Sequence, residues 1–184
     1  MRVASTALER VAIGAASLAL SIGLIALMSG YFAGRDPADV AGAVSGPGQA
    51  FRDLGHGALR AGQPRPAYDS EPPTSGAHLP APVTHDAAPL SDDQLLQALQ
   101  TGDVVLMYGG AAPPPALRTL ARSLAPPFSP ALAAAGQAVI LARRPGVAGT
   151  LGLAWAHMVR VASPGDPRLG EFAGFWLGRG APGR

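Results

Sequence analysis

The chain contains no cysteine. That absence excludes disulfides, thiolate metal sites, thiol nucleophiles and dithiol redox chemistry together. Lysine is absent as well, so all 14 basic residues are arginine, a usage that matches the heavy load of Ala, Gly and Pro as the mark of a GC-rich genome. Aromatic residues amount to 5% and the formal net charge is only +2. With the arginines scattered, no basic stripe interleaved with aromatics marks a nucleic-acid surface, and nucleic acid is not an expected partner. The glycines are dispersed and none precedes a Lys-Ser/Thr pair, so phosphate-binding fingerprints are missing. For metal chemistry only His, Asp, Glu and Met remain as side-chain ligands.

At 184 residues the chain has room for one modest globular domain beyond its apolar start. From Val11 to Phe32 there are 22 positions without a charge, bounded by Arg10 and Arg35. About 20 apolar residues span a bilayer's hydrocarbon core, whereas the apolar part of a signal peptide runs about 7 to 15. No small-x-small cleavage site follows, so residues 11–32 are expected to be an uncleaved transmembrane anchor. Arg2, Arg10 and the free amine precede it, while Asp36 and Asp39 follow Arg35. The positive-inside bias then makes residues 1–10 a cytoplasmic tail and places the rest outside the cytoplasm. Residues 33–66, rich in Gly, Ala, Pro and Asp, read as a stalk or linker with one brief helical start at Asp36-Pro37. Residues 67–184 form the expected domain.

Within that domain Ser91-Asp92-Asp93-Gln94 has the form of a capping box, followed by Leu95, Leu96 and Leu99 at helical spacing. Gly102 ends this helix, and residues 103–108 read as a buried strand stopped by Gly109-Gly110. Pro113-Pro114-Pro115 leads into a second helix with Leu117, Leu120, Ala121 and Leu124 on one face, ended by Pro126-Pro127. Residues 138–142 are a strand. After the turn at Arg143-Arg144-Pro145-Gly146, residues 151–161 are expected to form one long strand paired with it as a hairpin. Asp166-Pro167 starts the last helix, with Leu169, Phe172, Phe175 and Trp176 on its apolar side. The expected class is α+β, a small sheet of about three to four strands with packed helices.

The stretch Glu71-Pro72-Pro73-Thr74-Ser75-Gly76-Ala77-His78 is built as a rigid loop. Two prolines pre-set an extended entry, Thr-Ser-Gly turns the chain, and one imidazole is delivered at a fixed place. Tyr68 followed by Pro72, Pro73, Thr74, Ser75, Gly76 and His78 resembles the signature of a bacterial, membrane-anchored family known only as domain-of-unknown-function family 3105. The resemblance runs from about His56 to the C-terminus, taking in Leu153-Ala154-Trp155 and the closing loop Gly178-Arg179-Gly180-Ala181-Pro182. It departs in one helix: where the family pattern has His, Glu and His at i, i+3 and i+4, this chain has Gln97, Gln100 and Thr101. The resemblance implies an inner-membrane, extracytoplasmic location and carries no established activity.

Four histidines remain as candidate ligands. The resemblance carries over His78 and, at about the right distance before the loop, His56 between Gly55 and Gly57; the alternative for His56 is an exposed linker residue. His85 or Asp86 would complete the set, with His157 or Met158 as extras. Imidazole with a thioether suits copper, and imidazole with carboxylate suits zinc. His157 shares strand parity with Leu151, Leu153 and Trp155, which places it on the apolar face with internally bonded nitrogens. Ser75 as a nucleophile lacks the Gly-x-Ser-x-Gly elbow, and turn chemistry explains it. No catalytic constellation is recognised, so an enzyme is not expected. Two functions stay open: a non-catalytic domain that holds another membrane or periplasmic protein, or a copper- or zinc-binding accessory protein using His56 and His78.

Overall fold

A computed structural model describes residues 45–183. The expected anchor at residues 11–32 and the helical start at Asp36 lie outside the described residues; among those described, no helix is long and apolar enough to cross a membrane.

The helices begin where local chemistry starts them. α1 (Asp92–Thr101) opens on Ser91, whose hydroxyl accepts from the Gln94 amide while the Gln94 side chain caps Ser91 in return, and it closes on Gly102 in a left-handed conformation. α2 (Pro115–Leu124) starts with proline in its first turn. α3 (Pro130–Ala134) is a short helix capped by Ser129, which hydrophobic periodicity missed because one and a half turns carry no readable period. α4 (Pro167–Trp176) is capped by Asp166 as expected.

Six strands form one mixed sheet: β1 (Gln49–Ala50), β2 (Ala88–Pro89), β3 (Val104–Tyr108), β4 (Val139–Arg143), β5 (Thr150–Ala154) and β6 (His157–Val161), in the order β1-β6-β5-β3-β4-β2. β3 lies at the centre, parallel to β4 and antiparallel to β5, and all five of its residues are buried. Its alternation serves two cores. Val105 and Met107 join Leu95, Leu96 and Leu99 of α1 on one side, while Val104, Leu106 and Tyr108 join Leu117 of α2 and Leu169, Phe172 and Trp176 of α4 on the other. A strand buried on both faces reads as a continuous apolar run, as Val-Val-Leu-Met-Tyr does.

The expected hairpin between residues 138–142 and 151–161 does not form. β3 separates β4 from β5, and the loop after Arg144 crosses the end of β3, where Gly109 leaves room for the Val147 backbone. The expected long strand is instead two, since β5 and β6 pair with each other around Trp155-Ala156. That turn has none of the residues that announce one, and Ala156 sits at φ +56°. Its backbone is held from outside: the Ala156 amide donates to Thr74 O at 2.9 Å, and its carbonyl accepts from Phe51 N at 2.8 Å. The reversal also corrects the parity of His157. It lies opposite Ala154, on the α4 side, with its ring stacked 3.9 Å from that of Trp176, rather than on the side of Leu151 and Leu153.

The described part of the expected stalk is laid against the domain. β1 pairs with β6, Ala58 bridges to His78, and Trp176 Nε1 donates to Pro47 O at 2.9 Å. Composition suggested a linker here because the bonds are mostly made by backbone, to partners 20 or more positions away, and no side-chain period accompanies them.

Candidate functional site

The Pro72-Pro73-Thr74-Ser75-Gly76 loop is buried throughout, and Thr74 and Ser75 have no exposed surface. It enters through a cis Glu71-Pro72 bond. The hydroxyls of Thr74 and Ser75 are both bonded within the fold. Ser75 Oγ donates to Arg52 O at 3.0 Å and accepts from Leu54 N at 3.1 Å, which fixes the 52–54 segment and uses the hydroxyl in both directions. Thr74 Oγ1 lies 3.1 Å from Ser70 Oγ. Gly76 takes φ +126°, and a Cβ there would meet the Tyr68 ring at 2.8 Å; glycine is required for both reasons. Tyr68 completes the packing by donating its hydroxyl to Ala77 O at 3.0 Å. Burial, ahead of the opposing charge of Arg65 and the reinforcing charges of Asp93 and Asp92, raises the Tyr68 pKa above its ordinary 10.0.

His78, the imidazole that the loop delivers, is turned inward. It is 2% exposed, its Nδ1 lies 2.9 Å from Gly76 O, and its backbone bonds Gly57 O and Leu59 N. The segment carrying His56 is therefore stitched to the segment carrying His78. The His56 ring, half-buried, packs edge-on to Trp155 with centroids 6.2 Å apart. His85 is exposed and contacts Thr84 Oγ1 through Nδ1 at 2.9 Å, while Asp86 Oδ1 accepts from Leu141 N at 2.8 Å. His157 Nδ1 lies 2.9 Å from Trp155 O. Among the described residues, no three His, Asp or Glu side chains gather closely enough to hold a metal ion.

The fold also builds a charged node that sequence reasoning passed over. Arg144 bonds Asp92 at 2.9 Å and also Glu71, so one guanidinium links the loop entry, the first turn of α1 and the β4–β5 connection. Burial opposes that charge, but the hydrogen bond to Asp92 and the charges of Glu71 and Asp92 outweigh it, and the Arg144 pKa is raised. Asp93, buried, accepts from Leu79 N at 3.1 Å and pairs with Arg65. Asp92 and Asp93 thus serve as separate tethers for two loops, besides favouring the positive end of α1. Only the Asp-Asp pair was visible beforehand, because its arginine partners are 28 and 52 positions away.

Gln97 and Thr101, two of the three positions where the resemblance expects His or Glu, line an open groove of about 460 Å³ together with Val83, Ala98, Pro130 and Ala133. The Thr101 hydroxyl donates back to the carbonyls of Gln97 and Ala98. The groove therefore presents mainly carbon. Beside it, the closing loop returns to α1, with Ala181 N donating to Gln100 O at 3.0 Å and Gly178 N to Gly102 O at 2.8 Å.

A family model described as a protein of unknown function (DUF3105) matches residues 62–181, well over half of the chain. No curated protein matches, and no solved structure does. The matched stretch holds the Pro-Pro-Thr-Ser-Gly loop, α1, all the long strands and the closing loop as far as Ala181, and the chain belongs to this family of proteins of unknown function.

Proposed function

We propose that this protein is a non-catalytic accessory domain, carried outside the cytoplasm of a bacterium by an anchor at residues 11–32, that holds or stabilises another membrane or periplasmic protein. One observation carries the reading. The loop that identifies the family commits its hydroxyls and its imidazole Nδ1 to bonds within the fold: Ser75 ties the loop to residues 52 and 54, while Thr74 bonds Ser70 and His78 lies against Gly76 O inside the loop itself. Chemistry needs a side chain whose reactive atom faces a reactant. A holder needs a stiff frame with accessible surface, and the buried loop supplies the frame.

The test separates this role from copper or zinc handling by His56, His78 and His85. Full-length protein purified from its own membranes should bring a second protein with it in fixed proportion, unaltered by a chelator. Copper and zinc titration should show no tight equivalent that His56→Ala removes. One tight metal equivalent lost in that variant, with the fold retained, would replace the partner role by metal binding.

A further inference from the structure

We propose that the outer face of the α2/α4 pair rests on the anionic phospholipid surface of the membrane that carries the anchor. The proposal rests on the anchored reading above and names the side of the domain that the bilayer takes.

The sheet has helices on each side, and the chain enters on one of them. α2 and α4 pack side by side, Leu120 beside Gly170 and Leu124 beside Gly174, over Val104, Leu106 and Tyr108. α1 lies over Val105 and Met107, with Ala133 of α3 in the same core. The first described residues run along the α4 side. Trp176 Nε1 donates to Pro47 O at 2.9 Å, and Gly46 lies against the Phe175 and Trp176 rings, where a Cβ would find no room. An anchor ending at Phe32 leaves 12 residues before Ser45. At about 3.5 Å each they reach about 42 Å at most, which keeps the α4 side near the bilayer.

Charge separates the two sides in the same sense. Arg118 and Arg122 of α2 and Arg179 after α4 are exposed, and Arg143 is half-buried on the face of β4 that carries Val139 and Leu141. None of these four arginines makes an ion pair among the described residues. The Arg179 guanidinium lies 4.6 Å from the centre of the Phe175 ring and its Nε donates to Phe175 O, which holds the charge beside the chain entry. Arg168 is paired with its own helix cap, Asp166. The opposing carboxylates on this side are Glu171, exposed on α4, and Asp86, which shares the groove of Arg118 and Arg122 and gives one oxygen to Leu141 N. Four arginines therefore stand against two carboxylates. On the other side α3 carries no charge, and Asp92 and Asp93 of α1 are paired with Arg144 and Arg65.

An anionic surface attracts the side with the cationic excess, each arginine near it favouring contact by about fivefold. Tethering supplies the local concentration that lets a few such contacts suffice. Phe175 and Leu177, both half-buried at the chain entry, are apolar side chains of the kind that settle at a headgroup boundary. This orientation turns the carbon-lined groove beside α1 and α3 away from the lipid, toward a held protein.

The experiment uses the full-length chain in proteoliposomes. Because the chain has no cysteine, Ser123→Cys on the exposed side of α2 and Ala131→Cys on the exposed side of α3 each accept a single bimane label. Quenching by lipids with a nitroxide headgroup reads how near each label lies to the bilayer surface. In bilayers containing phosphatidylglycerol the Ser123 label should be quenched at least about threefold more strongly than the Ala131 label. The two should approach parity in phosphatidylcholine alone, and in about 0.5 M salt, where charges act over only about 4 Å. Arg118→Glu, Arg122→Glu and Arg179→Glu together should act as removal of phosphatidylglycerol does, with thermal unfolding unchanged. The lipid and salt comparisons keep the native arginines and do not depend on that variant folding. Equal quenching of the two labels, stronger quenching of the Ala131 label, or a preference indifferent to lipid charge and to salt would each overturn the proposal. If the chain stays in the bilayer through an alkaline carbonate wash while both labels are quenched alike, this surface is wrong and the anchored reading stands; if the wash releases the chain, the anchored reading fails and the proposal fails with it.

Discussion

Two regions of this molecule use polar groups in opposite ways. In the Pro72–Gly76 loop and at His78, the hydroxyls and imidazole Nδ1 reach backbone or side-chain partners within the fold. Along α2, Arg118 and Arg122 are exposed, line a groove and make no ion pair among the described residues. The first region carries the motif by which the family is recognised, and the second carries none. A sequence signature can therefore mark the frame of a domain, because burying polar groups demands specific partners at specific places, whereas exposed arginines along a groove tolerate many sequences.

The comparison predicts that substitutions in the loop cost far more stability than those along the groove. The largest effect is expected for Gly76→Ala, which must hold an L-residue at φ +126° and push against the Tyr68 ring. Backbone strain and overpacking together should cost about 3 kcal/mol or more in a urea titration. Ser75→Ala should follow at about 2 kcal/mol, since it leaves Leu54 N and Arg52 O without their partner. A loss below about 0.5 kcal/mol would show that the loop is not the frame.

Tyr68→Phe removes one bond, to Ala77 O, and should cost about 1 kcal/mol at neutral pH. It also sharpens the pH dependence. Burial is the first cause raising both Tyr68 and Tyr108 above 10.0. The unfolded chain releases these protons near 10.0 and the folded chain above it. Their contribution is thus fully present below 10.0 and is lost as pH rises through the folded values. Wild type should therefore weaken in alkali, and the Tyr68→Phe, Tyr108→Phe double variant should show a shallower alkaline limb. The smallest effects belong to the groove and the exposed loop. Arg118→Ala, Arg122→Ala and His85→Ala should each change stability by less than about 0.5 kcal/mol. A larger loss at either arginine would mean that the groove is structural too.

Local chemistry made the helices legible. Ser91 with Gln94, proline at the start of α2 and α4, and Gly102 after α1 set their ends through bonds within a few residues. The buried strands were legible as apolar runs, but their pairing was not, since the order of strands depends on which surfaces meet. The motif residues were legible as a group, while their role was not. Ser75 looks alike in sequence whether its hydroxyl faces a substrate or Arg52 O.

What the sequence by itself determined is the cysteine-free chemistry, the family, the helix starts and the apolar core strands, all properties of composition or of neighbours along the chain. Tertiary structure alone decided three things. It turned the chain at Trp155-Ala156, where no local turn residue exists and Thr74 and Phe51 supply the backbone bonds. It placed β3 between β4 and β5. It also added residues 49–50 to the sheet edge, bridged Ala58 to His78 and turned His78 into the interior. In each case the deciding partner is distant in sequence, and only packing brings it within hydrogen-bonding reach.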